Sequence, residues 1–100
     1  MTEKTQGMWF VYMLRCADNS LYTGITTDVQ RRFGEHQSQG RLTARYLRGR
    51  GPLELALQFE AGSRSDALQL EYLIKQLSVA EKRRLIGGQL VPADIIKTPA

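Results

Sequence analysis

Phe10-Val11-Tyr12-Met13-Leu14-Arg15-Cys16, Leu21-Tyr22-Thr23-Gly24-Ile25-Thr26 and Asp28-Val29-Gln30-Arg31-Arg32-Phe33-Gly34-Glu35-His36 together decide the fold. Trp9 to Cys16 and Leu21 to Thr26 are aromatic and apolar and read as strands, with Asp18-Asn19 between them as a hairpin signal. Register is the open point. A two-residue turn at Asp18-Asn19 puts Tyr12 and Tyr22 on opposite faces of the sheet. A three-residue loop, Ala17-Asp18-Asn19 with Asn19 in the left-handed region, pairs Tyr12 with Gly24 and Leu14 with Tyr22. Both phenols then share one face, because a one-residue slip flips every side chain. Asparagine tolerates that backbone, and a site using both tyrosines requires it. Asp28 caps a helix that runs to about Gln39, with Gly40 as its stop. Val29 and Phe33 form its apolar stripe, and Arg32 and His36, four apart, lie together beside it.

Beyond this stretch, Arg41 to Pro52 is a loop carrying four arginines, Tyr46 and two glycines. Leu53, Leu55, Leu57 and Phe59 then alternate with Glu54, Ala56, Gln58 and Glu60, predicting a third strand with one apolar and one mostly polar face. Ser63 and Asp66 open a second helix as a capping box with Asp in place of Glu, and Ala67, Leu70, Leu73, Ile74 and Leu77 make its buried stripe. Glu71 falls at the margin of that stripe. Ser78 and Glu81 start a short third helix, Val79 to Ile86, which Gly87-Gly88 ends. Gln89 to Ala100 holds two prolines and one apolar cluster, so it is a docked strap or a loose tail. The order is β-β-α-β-α-α.

At 100 residues there is room for one core. The balance is basic, 14 Lys and Arg against 10 Asp and Glu, which suits a polyanionic partner. Cys16 is the sole cysteine, so neither an intrachain disulfide nor a cysteine zinc site can be built. The N-terminal Met1-Thr2-Glu3-Lys4-Thr5-Gln6-Gly7 has no apolar run after its charges and is not a signal peptide. No stretch reaches the ~20 apolar residues of a membrane span. A cytoplasmic location is expected.

Phenol, guanidinium, imidazole and carboxylate are the parts of a metal-assisted phosphodiesterase. Glu71 offers one hard oxygen ligand for a divalent ion beside substrate phosphate and water; it also suits a plain ion pair with Lys75. Arg32 can hold phosphate bidentately or sit on the surface. His36, the sole histidine, has an ordinary pKa suited to proton transfer near neutrality, or is a helix-surface residue. Tyr12 and Tyr22 are phenols for chemistry or aromatics for packing. Arg41, Arg45, Arg48 and Arg50 suit phosphate contacts that carry no sequence information, and Tyr46 suits stacking on an exposed base. Lys82-Arg83-Arg84 is a second basic cluster, read as a solvated helix face ahead of a nucleic-acid contact.

Phe10-Val11-Tyr12 with Tyr22-Thr23-Gly24, followed by Arg32 and later Glu71, resembles the two triplets and partners of the GIY-YIG nuclease family. The spelling Val11 to Cys16, Tyr22 to Thr26 and Arg31-Arg32 through Glu35-His36 is similar to its small single-domain bacterial, YhbQ-like branch. That branch in turn resembles the catalytic subunit of eukaryotic structure-selective endonucleases. The resemblance implies an α/β fold: one domain over residues 8–87 with a three-stranded, mainly antiparallel sheet flanked by helices, and residues 88–100 as a strap or tail. It implies that Tyr12 and Tyr22 line the cleft, one of them orienting or deprotonating the attacking water. Arg32 stabilises phosphoryl charge, His36 stands near the nucleophile, and Gly24 allows close backbone approach to nucleic acid. Glu71 binds a divalent metal, Mg²⁺ or else Mn²⁺. Asn19 is the only asparagine, so the asparagine that many members use after the glutamate has no counterpart here.

The expected activity is metal-dependent DNA endonuclease action in repair or recombination, selective for structure because no second module reads base edges. RNA is a possible substrate as well, and a protein partner could supply specificity. The rival expectation is a non-catalytic nucleic-acid-binding domain on the same scaffold.

Overall fold

The computed structural model describes residues 7–96, with side chains to residue 95. The reading of residues 1–6 as no signal peptide, and that of the tail past residue 96, lie outside the described residues. Strands β1 (Trp9–Arg15), β2 (Leu21–Thr26) and β3 (Glu54–Gly62) form one antiparallel sheet in the order β2-β1-β3. Helices α1 (Val29–Gln37), α2 (Arg64–Lys75), α3 (Val79–Ile86) and α4 (Pro92–Ile96) complete the α/β domain, with a 3₁₀ turn at Arg45–Leu47. None of the described helices is long and apolar enough to cross a membrane.

The hairpin takes the three-residue register. Tyr12 pairs with Gly24 and Leu14 with Tyr22, and Asn19 sits at φ 72°. Asp18 accepts from the backbone N–H and hydroxyl of Ser20, which locks the turn. Both phenols therefore face the same side.

That side carries Tyr12, Leu14, Cys16, Val29, Leu47 and Leu53, against which Tyr22, Phe33, Ala44 and Leu55 pack. The other side carries Val11, Met13, Leu70, Ile74 and Leu85 under α2, α3 and α4. The sheet is thus covered on both faces, and β3 does not keep one apolar face as its alternation suggests. Leu57 lies opposite Met13 but Leu55 lies opposite Leu14, so the register shifts by one residue between them. A bulge of this kind hands the apolar stripe from one face to the other: Leu53 and Leu55 serve the first core, and Leu57 and Phe59 the second.

Caps fall where their residues predict. Asp28 accepts from the Arg31 N–H, and Ser63/Asp66 and Ser78/Glu81 each close a reciprocal capping box. Helix α1 stops two residues early, at Gln37. Gln39 (φ 59°), rather than Gly40, takes the left-handed position, because its side chain is fully engaged. It donates to the His36 and Leu47 carbonyls and accepts from the Gly49 N–H. Leu90 and Ile95 pack on the second core, so the segment after α3 is docked as far as it is described.

Candidate active site

Tyr12 and His36 lie inside the protein, 1% and 0% exposed. The phenol oxygen stands 2.9 Å from His36 Nε2. The Ala44 N–H donates to His36 Nδ1 at 3.2 Å, so Nδ1 carries no proton. The ring proton is then on Nε2 and is donated to the Tyr12 oxygen. A chain of polarisation runs from the Ala44 backbone through the imidazole to the phenol.

Burial fixes the protonation of both groups. It pushes the Tyr12 phenol well above the ordinary tyrosine range, helped by Tyr22 and opposed by Arg32. It also holds His36 down to about 4, with the Arg32 charge adding to the effect. The expectation of a histidine poised near neutrality is therefore corrected: His36 is neutral at pH 7 because a charge there is desolvated and faces a guanidinium. Tyr12 likewise does not line an open cleft. Tyr22 does: its half-buried ring packs 6.2 Å from Tyr12 and 5.6 Å from His36, centroid to centroid. It borders a cavity of about 330 Å³ lined by Leu21, Tyr22, Thr23, Tyr46, Lys75 and Lys82.

At Gly24 the close approach that the structure shows lies within the sheet. A Cβ there would stand 2.5 Å from the Tyr12 phenol oxygen and 2.7 Å from its ring carbon. That approach is to a neighbouring side chain, and Gly24 is buried.

Arg32 projects from α1 beside both phenols. Nη1 donates to Glu35 Oε1 at 2.7 Å and to the Leu42 carbonyl at 2.8 Å. Burial opposes the charge on Arg32, but the Glu35 bond and the two phenols outweigh it and raise its pKa. Arg32 also holds the Glu35 carboxyl below the usual range, with Arg31 contributing.

Glu71 stands apart from these four. Among the described residues no hydrogen bond or ion pair joins it to Tyr12, Tyr22, Arg32 or His36. Its carboxylate lies 3.3 Å from Lys75 Nζ, one turn on, and it reaches the cavity only through that lysine. A single carboxylate, 20% exposed, suits a hard ion that keeps water and takes substrate phosphate. Among the described residues no three His, Cys, Asp or Glu cluster to hold a metal, so a zinc-type cage is not built. Glu71 fits a Mg²⁺-like ion once Lys75 yields.

The basic loop is a packed structure. Leu47 is fully buried. Gln37 exchanges two hydrogen bonds with the Leu53 backbone, at 2.9 and 2.8 Å. Arg50 pairs with Asp18, donates to the Tyr46 carbonyl and covers the Tyr46 ring at 4.3 Å. Tyr46 in turn stacks on Tyr22, centroids 6.0 Å apart. Arg41, Arg45 and Arg48 remain exposed. The roles of Gln37 and Gln39 escape a reading of the sequence, as does the placement of Lys75 and Lys82 beside Tyr22. Glutamine carries no pattern of its own, and the lysines meet Tyr22 only through tertiary packing of two helices.

Comparison with known proteins agrees with this architecture. A family model, the GIY-YIG catalytic domain, matches residues 8–84. A UPF0213 protein of Cronobacter sakazakii is 56% identical over 82 residues, 82% of this chain and 84% of the relative. The UPF0213 protein YhbQ of Escherichia coli is 50% identical over 91 residues, 90% of this chain and 88% of the relative. The solution NMR structure of a UPF0213 protein from Bacillus halodurans is 40% identical with a TM-score of 0.53, covering 88% of this chain and 92% of that one. With the paired phenols, the helix arginine and the later glutamate in these places, the chain belongs to the GIY-YIG family.

Proposed function

We propose that this chain is a divalent-metal-dependent DNA endonuclease that selects substrates by structure, with branched, nicked or flapped DNA of repair or recombination as its targets. The observation that carries the reading is Tyr22. Its ring lies at an open cleft, backed by the buried Tyr12–His36 pair and flanked by Arg32. Packing alone does not call for that combination.

In this reading Tyr22 is the phenol that meets the attacking water. Tyr12 and His36 are positioning residues, since neither touches solvent. Arg32, its guanidinium held by Glu35, stabilises charge on the phosphoryl oxygens. Glu71 holds a divalent ion, Mg²⁺ or Mn²⁺, which supplies Lewis-acid stabilisation of the phosphate when bound. Exposed Arg41, Arg45 and Arg48 contact backbone phosphates and so confer no sequence preference.

One observation favours the rival reading of a non-catalytic nucleic-acid-binding domain: Lys75 already engages the Glu71 carboxylate. A panel of end-labelled linear, nicked, flapped and branched DNAs, with Mg²⁺ or Mn²⁺, decides between them. Metal-dependent products from the wild type, lost in Glu71→Ala, support the nuclease. No product on any substrate, with binding retained, supports the rival.

A further inference from the structure

The cavity at Tyr22 does not end there. A second hollow, of about 500 Å³, is lined by Asp18, Asn19, Ser20, Leu21, Tyr46, Val79, Lys82 and Arg83. It shares Leu21, Tyr46 and Lys82 with the first, so the two form one groove. The groove follows β2, an edge strand, past the hairpin turn, with the end of α2 and the start of α3 as its far wall. Lys75, Lys82 and Arg83 line that wall. Neither Lys82 nor Arg83 has an ion-pair partner among the described residues. Tyr46, 43% exposed, sits where the two hollows meet.

A cationic groove with an aromatic at its midpoint is the arrangement that binds single strands: cations track the backbone, and the ring takes an unpaired base. In a duplex, bases are stacked inside and offer no face to Tyr46. We propose that this groove is a track for one strand of DNA, with Lys75, Lys82 and Arg83 contacting phosphates and Tyr46 taking a base in place of the Arg50 guanidinium that covers its ring. The track leads to Tyr22 and so rests on the nuclease reading for its destination. It selects DNA in which a single strand departs beside the scissile phosphate. It also provides a way to free Glu71, since a phosphate arriving at Lys75 competes for the lysine.

The test is binding without metal, by fluorescence anisotropy in EDTA, using a labelled oligothymidine and a blunt duplex of equal length. Wild type should bind the single strand more tightly than the duplex. Lys82→Glu should weaken single-strand binding at least tenfold. Arg64→Glu, the same charge change on an exposed residue at the far end of α2, should weaken it less than threefold. Tyr46→Ala should cost about fivefold or more, in line with one lost base stack. Equal losses from Lys82→Glu and Arg64→Glu, or duplex bound as tightly as single strand, overturn the track. The nuclease reading fails separately: strand binding through the groove with no metal-dependent product supports the track and removes only its destination. Folding of each variant is checked by thermal unfolding, and Lys82→Gln, milder at the same site, should give an intermediate loss.

Discussion

The Tyr12 phenol lies directly over the Cα of Gly24 across the strand pair, leaving no room for a methyl group at residue 24. Tyr12 cannot move aside, being buried against His36 and Tyr22. Gly24→Ala should therefore destabilise the protein by about 1–3 kcal/mol, the usual range for overpacking. Tyr12→Phe should not rescue it, because a ring carbon still stands 2.7 Å from the added Cβ. Urea unfolding of the two single variants and the double variant checks this. A rescued double variant would place the clash at the hydroxyl alone.

His36 supplies a pH signature of stability rather than of catalysis. Its folded pKa, about 4, lies below the ordinary value of 6.5 because of burial and the Arg32 charge. Between those values the unfolded chain binds the extra proton, so stability is full above pH 6.5 and is lost as pH falls towards 4. The loss is up to about 3 kcal/mol. Denaturant titrations at pH 7.5 and pH 5 should show it, and His36→Gln should flatten the dependence in that window. Long-range proton–nitrogen NMR should find the proton on Nε2. A protonated Nδ1 would contradict the bond from Ala44.

Much of this geometry is legible in the residues, and the exceptions have physical causes. Asn19 points to the left-handed turn that brings both phenols to one face, and the three caps follow from Asp28, Ser63 and Ser78. The bulge in β3 is hidden because Ala56 is small and apolar, so alternation reads unbroken across the shift. The desolvation of His36 is hidden too. Helical spacing puts it beside Arg32 but says nothing of the loop that Gln37 and Gln39 fold over it. Lys75 and Lys82 come to Tyr22 only when two helices dock on the edge of the sheet, a relation no local pattern records.

Glu71 is separable from the fold. Its pair with Lys75 is an i,i+4 contact on a half-open surface, and such pairs contribute roughly 0.3–0.5 kcal/mol. Glu71→Gln should leave the thermal midpoint nearly unchanged while lowering metal-dependent cleavage about 10²–10³-fold, the loss typical of an electrostatic contact made in the transition state. Wild-type cleavage by Glu71→Gln would leave the metal assignment without support.

Arg32 should act on turnover more than on binding. Its guanidinium is oriented by Glu35 and the Leu42 carbonyl, which in the proposed function preorganises it for charge that develops during reaction. Arg32→Ala should lower kcat about 10²-fold with DNA affinity changed only a few-fold. Arg32→Lys should recover little, since a lysine lacks the planar fork that Glu35 holds. Single-turnover rates at saturating protein, alongside anisotropy, separate the two effects. Equal losses in affinity and rate would move Arg32 from the reacting phosphate to the ground-state interface.

The arginines of the loop should divide by what they touch. Arg41 and Arg45 are exposed and form no ion pair among the described residues, which leaves them available for the ground-state phosphate contacts of the proposed function. Replacing both by alanine should weaken duplex binding and flatten its log–log salt dependence by about 0.9 per lost contact, with saturated turnover unchanged. Arg50 is different, because it is bound to Asp18, to the Tyr46 carbonyl and to the Tyr46 ring that stacks on Tyr22. Arg50→Ala should cost about 0.5–1 kcal/mol of stability from the lost cation–π contact. It should also lower turnover, since Tyr46 is then free to leave Tyr22, while the salt slope stays near the wild-type value. A salt slope reduced as in the Arg41 and Arg45 variant, with turnover intact, would make Arg50 one more phosphate contact and detach the Tyr46 stack from catalysis.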